Sequence, residues 1–162
     1  NGQVRSSHAG PVNSLLHGTS DINLNKLQRV QNSLARIVLK KHPRHPAQGL
    51  LSKLHWLPIE HRIKFKLATI TYKALTLNQP SYILSRLHPY QPAYHTRSAD
   101  QKLLAKPTCS TSFGQRAFSY AAPQIWDKIP LDTRASTSIE SFKRKLKSHF
   151  WTSLDLSVTF PA

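Results

Sequence analysis

Apolar residues return at helical spacing in three long stretches of this chain, and the stretch from Leu54 to Leu75 joins a Trp-Pro corner to a continuous helical pattern. Placed at about 100° per residue, Ile59, Ile63, Leu67, Ile70, Ala74 and Leu77 fall within about 80° of one another, which predicts one core-facing stripe. Pro58 suits the first position of this helix, because its missing N–H is not needed there and its φ is already helical. Glu60 follows at the positive end of the helix dipole. Beside the stripe, a band about 40° wide carries Arg62, Lys66 and Lys73, and across from it lie His61, Phe65, Ala68, Tyr72 and Leu75. Two readings of the second apolar side follow. In one, the helix is central and packed on both sides. In the other, Phe65 and Tyr72 are partly exposed stacking surfaces beside cations, as grooves for single-stranded nucleic acid require.

The second stretch predicts a helix from Asp21 or Asn23, either of which can cap it, to about Lys41. Leu24, Leu27, Val30, Gln31, Leu34, Ile37 and Val38 share one side, and Lys26, Arg29, Arg36 and Lys40 share the opposite side. A charged outer face is ordinarily just solvated, but surface helices usually mix signs to form i,i+4 pairs, and no acid stands among these four. KHPRHP at 41 to 46 then predicts an extended basic turn carrying Lys41 and Arg44. His42 and His45 are a weak metal hint, and the other histidines supply no recognisable ligand set.

The third stretch is marked by a T-x-x-E capping box, Thr137 to Glu140, ahead of Ile139, Phe142, Leu146 and Phe150, with Lys143, Arg144, Lys145 and Lys147 on its other sides. Between the long helices, a short helix at 47 to 54 delivers Trp56 to its corner, and another starts near Pro80 and reaches Leu87. A loop with Tyr90, Tyr94, His95 and Arg97 follows, then a short strand at Leu103 to Ala105 and two helical turns separated by Pro123, with Phe118 and Trp126 in the core. The fold class expected is mainly α: a small helical domain with one short strand or extended segment and a flexible N-terminus. Residues 1 to 20 read as a loose lead-in, 21 to 154 as a basic helical domain and 155 to 162 as a tail.

Composition turns this architecture toward an anionic partner. Lys and Arg number 23 against 7 Asp and Glu in 162 residues, a net charge of +16, which attracts phosphate backbones. Eleven of the cations lie between Lys26 and Lys73, where Glu60 is the sole acid. No apolar run approaches the roughly 18 residues of a spanning helix, and the first residues carry no signal-peptide block, so no membrane partner is expected. Cys109 is the single cysteine and cannot form an internal disulfide, which fits a reducing, intracellular setting, nuclear or cytoplasmic. With no Met at any position, the chain is expected to be a piece of a longer one. The acids form no adjacent or D-x-D pair for metal-dependent chemistry, and there is no P-loop, G-x-G-x-x-G or G-x-S-x-G word. The expectation is of no catalysis, no cofactor and no metal.

The words of the chain resemble one family. NSLLHG at 13 to 18, LQRVQNSLARIV at 27 to 38, LHWLPIEHRIKFKLATITYKAL at 54 to 75, PSYILSRLHPY at 80 to 90, TRSAD at 96 to 100, FGQRAFSYAAPQIWDKIP at 113 to 130 and SIESFKRKLKSHF at 138 to 150 are similar, in order, to the carboxy-terminal region of LINE-type non-LTR retrotransposon polyproteins, just beyond the reverse-transcriptase domain. The likeness departs at the start, where Val12 and His17 replace the expected Cys and Tyr and residues 1 to 11 match nothing. The resemblance implies a post-polymerase, thumb-like module of a polyprotein that copies its RNA at a nicked chromosomal target, with the lead-in of residues 1 to 20 as the tail of the polymerase domain. The aromatic-Ala-Asp-Asp turn of the polymerase and the family's endonuclease are absent from this chain, so no catalytic residue carries over. The function expected is a non-catalytic fragment of an RNA-directed DNA polymerase that binds template RNA or an RNA-DNA duplex. Its binding residues would be Lys26, Arg29, Arg36, Lys40, Lys41, Arg44, Arg62, Lys66 and Lys73, with Phe65 and Tyr72 for stacking. The alternatives are a structural module docked on the upstream polymerase domain and an inert remnant of a decayed element.

Overall fold

Two backbone corners, each built on a residue other than glycine, end the first two helices of this chain. The computed structural model describes residues 17–91, 101–111 and 114–156, and over them the chain is mainly helical. The helices are α1 (Asp21–Val38), α2 (Gln48–Lys53), α3 (Ile59–Leu77), α4 (Ser81–Leu84), α5 (Phe118–Trp126), α6 (Leu131–Arg134) and α7 (Ile139–Leu156), with a 3-10 turn at Gly114–Arg116. Tyr94, His95 and Arg97, with the words at 13 to 16 and 96 to 100, lie outside the described residues.

At the end of α1 the Lys41 N–H donates to the Arg36 carbonyl at 2.8 Å and the Lys40 N–H to the Ile37 carbonyl at 3.1 Å, with Lys40 in the left-handed region at φ 49. The end of α2 repeats this: Trp56 N–H to Leu51 O at 2.9 Å, His55 N–H to Ser52 O at 2.9 Å, and His55 at φ 53. Such paired bonds satisfy carbonyls that a helix end leaves free. They also stop α1 at Val38, short of the expected Lys41, so the chain has turned before KHPRHP begins. The second corner sets Trp56, half-buried with Leu39 and Leu54, on a small cluster of Ala35, Leu50 and Leu51.

Pro58 sits one place before the helix, as its N-cap, and α3 begins at Ile59. The free groups of this corner are taken by α1: Gln28 Oε1 accepts from the Ile59 N–H at 2.9 Å, and Gln31 Nε2 donates to the Leu57 carbonyl at 2.9 Å. These bonds decide which side of α1 faces inward. Gln31 and Ala35 are buried, whereas Val30, Leu34, Ile37 and Val38 are 58%, 48%, 71% and 54% exposed, and Leu27 is 37% exposed. The apolar stripe expected to face the core therefore faces out, because Gln28 and Gln31 hold the adjacent face against the α3 corner and Ala35 lets α2 approach.

α3 is the central helix, packed against α5, α7, α4 and α1. Ile63, Leu67 and Ala74 are buried on one side and Ala68 and Tyr72 on the other, which is the packed-on-both-sides arrangement. The Tyr72 ring stacks on Phe142 with centroids 4.2 Å apart, and its hydroxyl donates to the Ser136 carbonyl at 2.6 Å. α7 buries Phe142, Leu146 and Phe150 as its spacing predicts. Its cap is Ser138, whose Oγ accepts from the Ser141 N–H at 3.1 Å, so the expected Thr137 and Glu140 box is displaced by one residue. The helix runs to Leu156, past the boundary expected at 154.

Pro123 lies buried inside α5 and does not divide it, since its neighbours Ala121, Ala122, Ile125 and Trp126 are held in the core around it. α4 ends at Leu84, and the expected strand is one antiparallel bridge between Pro89 and Leu104. Tyr90 N–H donates to Leu103 O at 3.0 Å and Ala105 N–H to His88 O at 2.8 Å. This segment is pinned at its ends: Trp126 Nε1 donates to the Lys102 carbonyl at 2.9 Å, and Asp127 Oδ1 accepts from the Leu104 N–H at 3.1 Å. Among the described residues, no helix is long and apolar enough to cross a membrane.

Candidate nucleic-acid interface

The basic side of the molecule starts on α1. Lys26, Arg29 and Lys40 are placed along it and at its end, and Lys41 and Arg44 are exposed on the turn that follows. Arg36 donates from Nε to the His45 carbonyl at 2.8 Å, so it braces that turn as well as carrying charge. On α3, Arg62 and Lys66 are half-buried and Lys73 is exposed. Among the described residues the ion pairs are Lys64 with Glu60 at 2.6 Å, Lys106 with Asp127 at 3.2 Å and Lys145 with Asp132 at 3.0 Å. None of the nine candidate cations has a carboxylate partner there. Glu60, the one acid within this region, is committed to Lys64, whose hydrogen bond holds its carboxyl below the usual range against the opposing effect of burial. Lys26 to Arg36 spans about 15 Å of helix rise and Arg62 to Lys73 about 16 Å. A duplex carries a charge every ~1.7 Å of its axis, so each band is long enough to meet several phosphates.

Tyr72 does not serve as a stacking surface. It is 2% exposed, covered by Phe142 of α7. Phe65 is half-buried and packs against the main core. Among the described residues, the exposed aromatic rings are instead Tyr82, 71% exposed, and Tyr90, 44% exposed. Both sit in the Pro-bounded segment after α3, where α4 is too short to bury its own side chains. The signal available in the sequence was that proline spacing, since a one-turn helix has no inner face to hide an aromatic ring.

Tyr82 stands at the edge of a cavity of about 520 Å³ between α3, α4, the 3-10 turn and residues 17 to 19. Leu67, Ile70, Ile83 and Phe118 supply its apolar lining, and Arg86 and Arg116 its cations, with no acid among the described residues that line it. Gly18 is at φ 74, and a Cβ there would overlap the Arg116 side chain, so glycine lets the first turn close over that arginine. His17 lines the same cavity, and burial, reinforced by Lys64, pushes its pKa down. No local motif announces this site, because its two arginines lie far apart in the sequence and meet only through the packing of α3, α4 and α5.

His42 and His45 are occupied within the turn: His42 Nδ1 accepts from the Arg44 N–H at 3.3 Å, and His45 Nδ1 lies 2.9 Å from the Pro46 carbonyl. Among the described residues, no group of three or more His, Cys, Asp or Glu is placed to hold a metal ion. Cys109 is half-buried beside Thr111, its Sγ 3.6 Å from that carbonyl. In comparisons with known proteins, no family model matches the chain, and no curated protein or solved structure is significantly similar to it.

Proposed function

We propose that this chain is a non-catalytic, nucleic-acid-binding fragment from the carboxy-terminal part of a LINE-type reverse-transcriptase polyprotein. In this reading, α1, the 41 to 46 turn and α3 grip the phosphates of template RNA or an RNA-DNA duplex inside the cell, in the nucleus or the cytoplasm, while chemistry resides in the polymerase domain of the parent protein. The observation that supports it best is a basic region, Lys26 to Lys73, whose candidate cations have no carboxylate partner among the described residues. Unneutralised cations of one sign are stable beside solvent and become favourable when they displace counterions from a phosphate backbone.

The test is a salt titration of binding to an RNA hairpin and to an RNA-DNA duplex. Lys26, Arg29 and Lys40 are the residues to change to Gln, because Arg36 also braces the turn. Each lost phosphate contact flattens the slope of log affinity against log salt by about 0.7 to 0.9, so the triple variant is expected to lose about 2 to 3 from the slope and to weaken both probes. An unchanged affinity and slope in a folded variant would sink this reading.

One observation favours a second reading, docking on the upstream polymerase domain. The stripe of Leu27, Val30, Leu34, Ile37 and Val38 is exposed along α1, and contiguous apolar surface of this kind commonly marks a protein contact. If polar substitution of this stripe abolishes association with that domain while the salt slope stays unchanged in the triple variant, docking comes first.

A further inference from the structure

We propose that the cavity beside α4 receives one unpaired nucleotide of a bound strand, its base over the apolar lining and its phosphate between Arg86 and Arg116. The proposal rests on the nucleic-acid reading above and adds to it a site that none of the predicted basic residues lines.

Size and chemistry agree on the occupant. A volume of about 520 Å³ lies within the usual range for small-ligand sites, about 300 to 1,000 Å³, and leaves room for a single nucleotide. Arginine forks recognise phosphate through two parallel N–H bonds, and neither Arg86 nor Arg116 is held by a carboxylate among the described residues. Tyr82 and Phe118 offer flat aromatic surface next to Ile70, so the lining suits a planar base. Thr19 and Ser85 add hydroxyls that both donate and accept, as base edges and a 2′-hydroxyl require. A base inside a duplex has its faces stacked and its pairing edge engaged, which restricts the site to an unpaired nucleotide.

Position supplies the link to the rest of the interface. Ile70 follows Lys66 by four residues and precedes Lys73 by three, so on α3 the cavity wall is the surface neighbour of both cations. A strand following Lys66 and Lys73 therefore passes the mouth of the cavity.

The experiment compares the full chain binding a blunt RNA duplex and the same duplex with a short single-stranded overhang carrying 2-aminopurine. The wild-type protein is expected to bind the overhang probe more tightly and to quench its fluorescence. Tyr82→Ala changes no charge at a side chain that is mostly in solvent, and it should weaken overhang binding by about fivefold or more while leaving blunt binding unchanged. Arg86→Gln with Arg116→Gln should abolish the preference as well. Equal binding of the two probes by the wild type, or a preference that survives both variants, overturns the cavity proposal. If blunt binding still depends on Lys26, Arg29 and Lys40 in that case, the broader reading stands without it. If neither probe binds, both are overturned.

Discussion

At the scale of single residues, four side chains among the described residues, at Lys40, His55, Asn78 and Lys102, sit in a conformation that glycine adopts freely, and Lys40 and His55 form the corners that end the first two helices. Lys40 at φ 49 and His55 at φ 53 each close a helix end where glycine is the usual choice. His55 is the cleaner probe, being exposed and outside the basic set. His55→Gly is expected to raise stability by about 0.5 to 1 kcal/mol, because relief of left-handed strain exceeds the added freedom of the unfolded chain. His55→Val should lower it, and urea midpoints at a constant slope would measure both. Neither corner was legible beforehand, since a helix stop is read from Gly or Pro and here Lys and His perform it. Pro58 was legible as a helix opener, and the structure moves it by only one position. Tyr72 shows the opposite failure: its spacing is right for a second apolar side, yet spacing cannot tell a stacking surface from the ring that Phe142 covers.

At the scale of elements, α1 separates pattern from burial. The apolar stripe was visible as a period, and the helix forms where the period lies, but the stripe faces solvent. What turned it is a pair of bonds from Gln28 and Gln31 to the backbone of the Leu57 to Ile59 corner, and no hydrophobic periodicity contains that information. A mutational contrast follows. Leu34→Ala on the exposed stripe is expected to change stability by less than about 0.5 kcal/mol, as surface substitutions usually do. Leu50→Ala, 1% exposed under the same helix, should cost about 2 to 5 kcal/mol. Denaturant unfolding of the pair decides the orientation: similar large losses would mean that the stripe is covered after all. By the same logic α3 and α7 were the legible elements, because their spacing coincides with the faces their neighbours bury, except at Leu77, which ends the α3 stripe and is 54% exposed because the helix stops there. The cavity was not legible, since its walls come from segments that only tertiary packing brings together.

At the scale of the whole molecule, the charge balance and the half-buried histidines make stability depend on pH in one direction. His17, His61 and His149 all have pKa values pushed below the ordinary 6.5, in each case first by burial, with Lys64 adding to the effect at His17 and His61. The His149 shift comes from burial alone. At His61 the opposing pull of Glu60 is smaller than burial, its Nδ1 has no hydrogen-bond partner among the described residues, and its ring meets Phe150 edge-on at 5.6 Å. A histidine with a depressed folded-state pKa binds its proton more readily in the unfolded chain. The stability it contributes is therefore complete above about 6.5 and is lost as pH falls through the folded-state value. Each proton also adds to a net charge that already stands at +16, so self-repulsion acts in the same direction. The urea midpoint is expected to fall between about pH 7.5 and about pH 5.5, above the range where the carboxylates titrate. His61→Leu should make that fall shallower, because it removes the group that must charge against Phe150 and Lys64. Added salt should recover the share due to self-repulsion and leave the burial share in place, since screening reaches exposed charges far more than buried ones. A midpoint that stays level across this window in the wild type would refute the dependence outright. A slope that His61→Leu leaves unchanged while salt removes it entirely would assign the acid sensitivity to net charge and none of it to the half-buried imidazoles.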